Sequence, residues 1–491
     1  MTSATKLFSS HQIRDFEQLA VSQLGMTEQE LMSEAGFAAF TTLKQLYPDA
    51  NKIIVYCGSG NNAGDGYVLA RLAHKAGYTV IVNYYKPFET LPETAQSAAL
   101  LAVKCGVSCH YMEDMTDFDA DLIVDALLGT GLTGTVKEPI ANAINQINSS
   151  GIPVLAMDIP SGINADTGQC MGQAVHASVT VTFIGYKTGM LTLDGPDYCG
   201  EIIGHDLGID TETALIPPMA KVIKNQWADS LLPSRKRNSH KGDFGHVLII
   251  GGGSGMPGSV CLAAQAALRV GAGMVTIATK PEYAQSAQPG LLEAMIYGIE
   301  KTDDLDPLLA KATVCVIGPG LGTDQWAEQL FKHVLACQLP MVIDASALRI
   351  LATAPLQDDN WILTPHPGEA AALLGCSTND IQNNRYAAIV ALQKKYGGNI
   401  ILKGVGTLIQ GDEPVTYVCA AGNPGMASAG MGDVLSGVIA GLVAQRLALA
   451  DAARLGVWIH AHAGDLAARK GGERGLIASD LIHCLRLMVN P

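Results

Sequence analysis

Two successive alternations of apolar strands with amphipathic helices constrain the fold of this chain most. The first begins with KIIVYCG and continues through TVIVNYY, DLIVDALLG and PVLAMDIP, and the second begins with GHVLIIGG. Strands that are apolar along their whole length are typical of parallel sheets covered by helices on both faces. We therefore predict an α/β chain whose first domain is Rossmann-like and has three layers.

The length of the chain and the segment between the two alternations predict two domains. Single hydrophobic cores stop growing at roughly 250 to 300 residues, and this chain has 491. Between Gly208 and Lys241 the alternation gives way to a Pro-Pro pair and a short basic run. We place the first domain at residues 1–220 and the second at 221–491.

Helical periodicity predicts the main helices between these strands. We expect one helical region over residues 10–47 with Ser10 as its N-cap. The periodicity further predicts helices over about 65–76, 93–104, 138–149 and 258–271, and a long one from Val434.

Charge and cysteine usage exclude several classes of partner. A formal net charge of -14 argues against a nucleic-acid surface, so any phosphate ligand must be met locally, and backbone N–H groups at helix N-termini can do this. The 11 cysteines contain no CxxC pair, which favours reduced thiols in a cytoplasmic protein. The N-terminal residues lack an apolar signal region, and the longest apolar stretch, Val434 to Ala450, contains Gln445 and Arg446. We therefore expect no membrane partner.

Polar residues follow several strands of the first alternation. The glycine-rich segment Gly58 to Gly66 follows one strand, Asp125 ends another, and Asp158 and Ser161 follow a third. Because the carboxyl ends of parallel strands form the ligand crevice, we expect Asn62 to meet these residues there. Hard oxygen ligands of this kind suit an alkali or alkaline-earth cation better than zinc. Each aspartate alone also fits a helix cap or a solvated turn.

The segment from Gly422 to Asp433 precedes a long apolar helix and predicts a phosphate site beside a carboxylate. Gly430 and Gly432 let the backbone approach a phosphate and direct N–H groups at it. Asp433 is then placed to accept a proton from a hydroxyl that attacks phosphorus. The alternative is an aspartate that only stabilises the helix N-terminus, by about 0.3 to 1 kcal/mol.

Two other turns of the second alternation are candidates for ligand contact. The residues Lys403, Gly404, Val405, Gly406 and Thr407 combine a cation with a tight turn, which suits nucleotide phosphates or ribose. In TPHPGE, two prolines hold His366 at a strand end, which favours contact with substrate over a structural role.

Two common nucleotide-binding motifs are weak or absent. The pattern GxGxxG occurs at Gly129 and at Gly253, but neither match has the context of a dinucleotide fingerprint. The first lies several strands into its domain, and the strand after the second ends without a carboxylate. No Gly-Lys dipeptide occurs, which excludes a P-loop.

The motifs together resemble those of the bifunctional NAD(P)H-hydrate repair enzymes. They are GSGNNAGDG, DALLGTGLTG and MDIPSGI in the first half, and KGDFGHVLIIGGGSGMPG, GPGLG, LTPHPGE, KGVGT and GNPGMASAGMGDVLSG in the second. The resemblance implies an isomerase and a lyase fused in one chain. The first domain would interconvert the epimers of NAD(P)HX, which is NAD(P)H hydrated at ring carbon 6. The second, of ribokinase-like fold, would dehydrate the S form at the expense of ADP.

The resemblance also implies roles for individual residues. Asn62, Asp125 and Ser161 would bind a potassium ion, and Asp158 and Asp433 would be catalytic. The epimerase pocket would be lined by Asn61, Asn62, Ala63, Gly64, Asp65, Gly129, Thr130, Gly131, Leu132, Thr133, Gly134, Thr135 and Asp158. The dehydratase substrate would contact Gly255, Gly320, His366 and Asp433. The nucleotide, accompanied by Mg²⁺, would contact Lys403, Gly404, Val405, Gly406, Thr407, Asn423, Pro424, Gly425, Met426, Ala427, Ser428, Ala429, Gly430, Met431 and Gly432.

One position departs from the family motif, and several alternatives stay open. The family loop reads NNGGDG where this chain has Ala63, which would strain the loop if that position needs a positive φ. A vitamin or sugar kinase of the ribokinase-like superfamily is the alternative function for the second domain. The first domain could instead be a binding or regulatory module. The sequence is compatible with ADP or ATP and with a homo-oligomer.

Overall fold

The structure is a computed structural model that describes residues 5–112, 119–212, 215–224, 230–287 and 291–490. The chain divides into two compact units, Thr5–Ala220 and Lys221–Pro491. Residues 1–4 lie outside the described residues. In the part of the chain described here, no helix is long and apolar enough to cross a membrane.

The first unit is built on a parallel sheet with the strand order β4-β3-β2-β5-β6-β7-β9. Its strands are β2 (Lys52–Cys57), β3 (Thr79–Tyr84), β4 (Ser108–Tyr111), β5 (Leu122–Ala126), β6 (Val154–Met157), β7 (Val179–Phe183) and β9 (Glu201–His205). Two further short strands, β1 (Lys6–Phe8) and β8 (Tyr186–Lys187), pair with each other in parallel.

Helices cover both faces of this sheet, as predicted for a three-layer domain. They are α1 (Ser10–Gln23), α2 (Glu28–Leu46), α3 (Asn61–Lys75), α4 (Glu93–Lys104), α5 (Ile140–Ser149) and α6 (Gly195–Cys199). Val55 and Val124 pack with α2, α3 and α4 on one face. Ile54 and Ile123, which alternate with them, pack with α5 on the other.

Two sequence expectations for the first unit are wrong in detail. The single helical region predicted over 10–47 is two helices, because Thr27 caps a second one. The N-cap of the first is Ser9 rather than Ser10: the Ser9 hydroxyl accepts from Gln12 N at 3.2 Å, whereas Ser10 bonds to Asp166. The local sequence does not tell which of two adjacent serines caps the helix when an aspartate distant in sequence hydrogen-bonds to one of them.

The start of α3 also differs from its prediction. The helix expected from about residue 65 begins at Asn61, so Asn61 to Asp65 form its opening turns rather than a preceding loop. Ala63 is fully buried there and does not have a positive φ. The alanine in this motif therefore introduces no left-handed backbone strain.

The second unit has a sheet in the order β13-β12-β11-β14-β15-β16-β17-β18-β19. Its strands are β11 (His246–Ile250), β12 (Met274–Thr279), β13 (Met295–Gly298), β14 (Val314–Ile317), β15 (Met341–Ile343), β16 (Trp361–Leu363), β17 (Asn399–Leu402), β18 (Thr407–Gln410) and β19 (Thr416–Cys419). The pairs are parallel up to β17, and β18 and β19 are antiparallel. A short strand, β10 (Ala220–Val222), crosses the boundary between the units.

Helices also cover both faces of the second sheet. They are α7 (Pro257–Arg269), α8 (Pro281–Ala287), α9 (Asp306–Leu309), α10 (Gln325–Leu335), α11 (Ala345–Thr353), α12 (Pro367–Leu374), α13 (Thr378–Asn383), α14 (Arg385–Tyr396), α15 (Met431–Ala444), α16 (Leu449–Gly471) and α17 (Ala478–Met488). Val247 and Ile249 pack in one core with α7, α15, α16 and α17. Leu248 and Ile250, on the opposite face, are also fully buried.

Close packing of α15 on α7 fixes the position of the glycine-rich segment before α15. A Cβ atom added at Gly437 would lie 2.1 Å from the carbonyl oxygen of Ala263, and one at Gly441 would lie 2.8 Å from that of Ala267. Only hydrogen at these positions lets the two backbones approach so closely. This contact holds the N-terminus of α15 against the hydrophobic core of the second unit.

Candidate active sites

The three residues predicted to bind a cation come together at the carboxyl ends of the strands of the first unit. The Asp125 carboxylate accepts hydrogen bonds from the Ser161 hydroxyl at 2.6 Å and the Ser161 amide at 2.8 Å. Asn62 donates from Nδ2 to the Leu128 carbonyl at 3.2 Å, and the Ser161 hydroxyl accepts from Leu128 N at 2.8 Å. The Asn62 amide, the Asp125 carboxylate and the Ser161 hydroxyl therefore all hydrogen-bond to the backbone of Leu127 or Leu128.

One oxygen of this group has no hydrogen-bond partner among the described residues. The Asn62 Oδ1 atom is buried and accepts no hydrogen bond from them. Burial raises the pKa of Asp125 to about 6, although its hydrogen bonds to Ser161 and Leu127 oppose the shift. A buried acceptor without a donor beside a buried carboxylate is an electronegative environment that favours a cation.

Asp158 follows β6 in a strained backbone conformation and forms a buried ion pair. Its φ is 67°, a region that non-glycine residues rarely occupy. Its carboxylate accepts from the Lys187 ammonium, whose side chain is fully buried and also donates to Thr182 Oγ1 at 2.8 Å and the Phe183 carbonyl at 2.9 Å. Three acceptors thus fix Lys187, and Lys187 fixes Asp158.

A second carboxyl group of the first unit is electrostatically coupled to this pair. Burial raises the pKa of Asp65 well above its usual value, and the carboxylates of Asp158 and Glu17 raise it further. Lys187 opposes this effect. The first unit therefore places a carboxyl that favours its neutral form near a carboxylate held in an ion pair.

The loop that follows β5 contains the remaining predicted pocket residues. A Cβ added at Gly129 would lie 3.2 Å from the Asn62 Cβ, so the loop begins against the opening turn of α3. From Gly131 to Thr135 the chain is mostly exposed to solvent. The predicted lining residues Gly129, Thr130, Gly131, Leu132, Thr133, Gly134 and Thr135 therefore extend from the strand ends to the surface.

In the second unit, Asp433 lies in the first turn of α15. Gly430, the N-cap of α15, has a φ of 87°, which leads the chain into the helix with free N–H groups at its N-terminus. Burial raises the pKa of Asp433 to about 6, and the Asp344 carboxylate raises it further, whereas Ser259 and Lys403 oppose the shift. A carboxylate with this pKa is suited to accept a proton near neutral pH.

A buried network of opposite charges lies beside Asp433. The Lys403 ammonium donates to Asp344 at 2.9 Å and lies 3.8 Å from Glu369, and Asp344 also accepts from Ser436 at 2.8 Å. Burial alone would lower the pKa of Lys403, but the two carboxylates outweigh it and raise that pKa. A Cβ at Gly432 would lie 3.3 Å from Lys403 Nζ, which shows that the network contacts the start of α15.

The two glycines predicted to contact the dehydratase substrate lie near the same helix N-terminus. A Cβ at Gly320 would lie 2.6 Å from the Met256 carbonyl and 3.2 Å from the Ser259 Cβ, and Ser259 hydrogen-bonds to Asp433. Gly255 precedes Met256 on the same turn. The structure therefore brings both glycines to the α7 side of Asp433.

His366 caps a helix through its ring. Its Nδ1 atom accepts from Gly368 N at 3.0 Å and Glu369 N at 3.3 Å at the start of α12, and its backbone N–H donates to Glu369. The side chain is half-exposed, with Nε2 3.4 Å from Glu369 Oε1. Direct contact with substrate by His366 stays a prediction, whereas its contact with Glu369 links it to Lys403.

The predicted nucleotide segment before α15 is anchored by residues outside it. Asp465 on α16 accepts from Gly422 N at 3.1 Å and from Asn423 Nδ2 at 2.9 Å. The Ser428 hydroxyl donates to the Leu476 carbonyl at 3.2 Å. The structure thus gives Asn423, Pro424, Gly425, Met426, Ala427, Ser428, Ala429, Gly430, Met431 and Gly432 a defined course from β19 to α15.

Sequence reasoning missed several residues of both sites. Asp344 and Glu369 are buried partners of Lys403, and Lys187 is the buried partner of Asp158. Asp344 directly follows a strand, so the rule that led to Asp125 could have found it. Lys187 carries no local signal, because its partner is 29 positions away in the sequence.

The two sheets and their strand-end sites define a two-domain α/β enzyme whose second unit places the Asp433 carboxyl in the first turn of a helix. Family models agree with this division. The model described as YjeF-related protein N-terminus matches residues 28–189, and the model described as NAD(P)H-hydrate dehydratase matches residues 247–486.

Relatives similar over the full length name the family. The chain is 50% identical to the bifunctional NAD(P)H-hydrate repair enzyme Nnr of Coxiella burnetii, over 99% of this chain and 100% of the relative. It is 41% identical to the enzyme of the same name from Escherichia coli, over 98% of this chain and 93% of that relative. The solved structure of a ribokinase-like superfamily protein from Enterococcus faecalis matches with a TM-score of 0.52 and 28% identity. The match covers 56% of this chain and 97% of that protein. The chain therefore belongs to the bifunctional NAD(P)H-hydrate repair enzymes.

Proposed function

We propose that residues 221–491 dehydrate the S form of NAD(P)HX with ADP as phosphoryl donor, and that residues 1–220 interconvert its epimers. The observation that carries the proposal is Asp433, a base with a raised pKa at the N-terminus of α15 and beside Lys403. Family membership supplies the substrate class, and the site supplies a chemical means of removing the hydroxyl.

The dehydration proceeds in two chemical stages. Asp433 accepts the proton of the 6-hydroxyl as its oxygen attacks the β-phosphorus of ADP, which releases AMP and leaves a phosphate ester on carbon 6. The ring nitrogen then expels phosphate, and loss of a proton from carbon 5 restores the ring double bond. Phosphorylation matters because hydroxide is a poor leaving group. The products are NAD(P)H, AMP and phosphate.

The backbone of the second unit would bind the nucleotide. N–H groups at the start of α15 favour negative charge, and the chain from Asn423 to Gly432 leads directly to them. The turn from Lys403 to Thr407 adds a second contact. ATP offers the same groups to these loops.

Mg²⁺ would accompany the nucleotide. This ion usually keeps several water molecules and binds substrate phosphates, so it needs few protein ligands. The described residues contain no group of three or more His, Cys, Asp or Glu side chains that could hold a metal by themselves. When bound, the ion would neutralise charge on the phosphates.

Asp158 is our candidate for the proton acceptor of the epimerase. Epimerisation at carbon 6 requires the hydroxyl to leave one face of the ring and water to return on the other. A neutral Asp65 can protonate the departing hydroxyl, and the Asp158 carboxylate can accept a proton from the incoming water. Lys187 positions Asp158 for this exchange.

Potassium fits the oxygen atoms near this pocket. The unpartnered Asn62 Oδ1, the Asp125 carboxylate and the Ser161 hydroxyl would hold the ion. These are hard oxygen donors, which alkali cations prefer to nitrogen or sulfur. The ion would offset the buried negative charge of Asp125.

The proposal is tested by incubating the full chain with separated epimers of hydrated NADH. With ADP, the S epimer should regain the absorbance band of the reduced nicotinamide ring, and AMP and phosphate should appear in equal amounts. A phosphorylated product that accumulates without NADH would instead identify a small-molecule kinase. Replacing ADP by ATP decides which nucleotide supports turnover.

A further inference from the structure

The side chain of Arg385 is a buried cation directly beneath the proposed nucleotide turn. It opens α14 and is only 1% exposed. Its guanidinium donates to the carbonyl groups of Leu402 at 3.3 Å, Lys403 at 3.3 Å and Gly406 at 3.4 Å, and to Gln382 Oε1 at 3.2 Å. The turn between β17 and β18 is therefore wrapped around this group.

The charge of Arg385 has no countercharge among the residues that the structure describes. The acceptors given above are carbonyl and amide oxygens, and no carboxylate within the described ranges forms an ion pair with it. Burial lowers the pKa of Arg385 to about 10, which still leaves it protonated at neutral pH. Lys403, by contrast, is paired with Asp344 and Glu369. A buried charge without a countercharge is costly to the fold.

The hydrogen bonds of Arg385 also determine the direction of a backbone donor. In a trans peptide the C=O and N–H groups point in opposite directions. Because the Lys403 carbonyl faces Arg385, the N–H of Gly404 faces away from it, where Gly404 is exposed and has no acceptor in the described part of the chain. A Cβ at Gly404 would lie 2.6 Å from Arg385 Nη1, and its φ is 135°. Only glycine fits this arrangement.

We propose that Arg385 is a positioning residue of the nucleotide site. Its guanidinium turns the carbonyl groups of Leu402, Lys403 and Gly406 inward, so that the turn presents the Gly404 amide and an uncompensated positive charge to the phosphates of ADP. This inference rests on the proposed role of the Lys403 to Thr407 turn in binding nucleotide. The anionic nucleotide then supplies the countercharge that the described residues do not provide.

The test compares the affinities of ADP and uncharged adenosine for the full chain by titration calorimetry. Arg385→Met should weaken ADP binding by about 10- to 100-fold, the range of hydrogen bonds to charged groups, and adenosine binding by less than about threefold. Arg385→Lys, which keeps the charge, should retain most of the ADP affinity. Lys394→Met removes an exposed charge from the same helix and should change neither affinity.

Two results would overturn the inference. One is an unchanged ADP affinity in Arg385→Met, and the other is an equal loss for ADP and adenosine, which would mean that Arg385 only supports the fold. Thermal unfolding checks that each variant is folded, and epimer interconversion by the same chain checks the concentration of intact chain. If the methionine variant does not fold, Arg385→Gln, which is neutral but polar, must lose affinity for ADP and not for adenosine. A wild-type chain that binds no ADP would refute the nucleotide site itself.

Discussion

Single carboxyl groups carry the proposed chemistry, and burial is what distinguishes them from the others on the surface. Asp433 and Asp125 each have a pKa raised to about 6, mainly by burial. The exposed Asp121 and Asp304 have lowered pKa values, because backbone N–H groups stabilise their charged forms. The pKa of an aspartate is therefore raised or lowered according to its surroundings.

Asp433→Asn should abolish dehydration and leave nucleotide binding intact. Asparagine keeps the size and polarity of the side chain but cannot accept the hydroxyl proton, so the turnover number should fall by about 100- to 10,000-fold. Turnover is followed with the S epimer and ADP, and ADP affinity by calorimetry. Asp412→Asn, in an exposed turn, is the matched control and should have wild-type turnover. Wild-type turnover in Asp433→Asn would exclude the residue as the base.

The turnover number for dehydration should fall as the pH drops through about 6. Asp433 acts in its deprotonated form, and its raised pKa of about 6 places the loss of that form at this pH. The rate should therefore be level above this value and decrease below it. A pH series at saturating S epimer and ADP measures the profile, and recovery after return to neutral pH excludes acid unfolding. A rate that stays constant well below pH 6 would contradict the assignment.

At the scale of secondary-structure elements, helix contacts and strand ends position these groups. The carboxyl ends of β5 and β6 bring Asp125 and Ser161 into contact although 36 positions separate them in the sequence. In the second unit, the close approach of α15 to α7 places Asp433 beside Ser259. Contacts between elements, which a sequence motif does not describe, therefore position both sites.

Gly437→Ala should destabilise the second unit and reduce dehydration. The added methyl group would lie 2.1 Å from the Ala263 carbonyl, so α15 must move away from α7. Overpacking of this kind costs about 1 to 3 kcal/mol in the free energy of unfolding. Denaturant unfolding measures the loss. Gly471→Ala, where an added Cβ meets nothing within 4 Å, is the control and should unfold like the wild type. Equal stability of both variants would mean that the helix contact is looser than described.

Lys187→Met should impair epimer interconversion without affecting dehydration of the S form. The variant removes the ammonium that positions Asp158 and leaves its carboxylate buried without that partner. We expect the interconversion rate to fall by at least about 10-fold, in line with the loss of a charged hydrogen bond. Epimer exchange is measured by separating the two forms over time, and S dehydration by the same chain is the internal control. An unchanged exchange rate would show that Asp158 does not depend on Lys187.

At the scale of the whole molecule, the fusion joins two activities that act on one damaged cofactor. A dehydratase restricted to the S form leaves the R form unrepaired unless an epimerase converts it. The two units, Thr5–Ala220 and Lys221–Pro491, have separate cores, so a variant in one should leave the other intact. Each activity can therefore serve as the control for the concentration of intact chain when the other unit is varied.

Removing potassium should stop the repair of a mixed-epimer substrate part-way. In the proposed site the ion balances the charge near Asn62, Asp125 and Ser161, so without it we expect epimer interconversion to slow while dehydration of the S form continues. In buffer with tetramethylammonium as the only monovalent cation, the NADH concentration should rise rapidly until the S epimer present at the start is consumed. It should then rise slowly. Adding potassium chloride should restore full conversion, whereas tetramethylammonium chloride at the same ionic strength should not. Full rapid conversion without potassium would refute the cation site.

The sequence by itself determined the α/β class, the two alternations and the motifs that contain Asn62, Asp125, Ser161 and Asp433. These depend on local periodicity and on the rule that parallel strands end on one side of a sheet. Only the tertiary structure decided that Ser9 rather than Ser10 caps α1, that Asn61 to Asp65 are helical, and which partners the motif residues have. Lys187, Asp344 and Arg385 act through contacts distant in sequence, and their burial, which controls proton affinity and the cost of charge, exists only after the chain has folded.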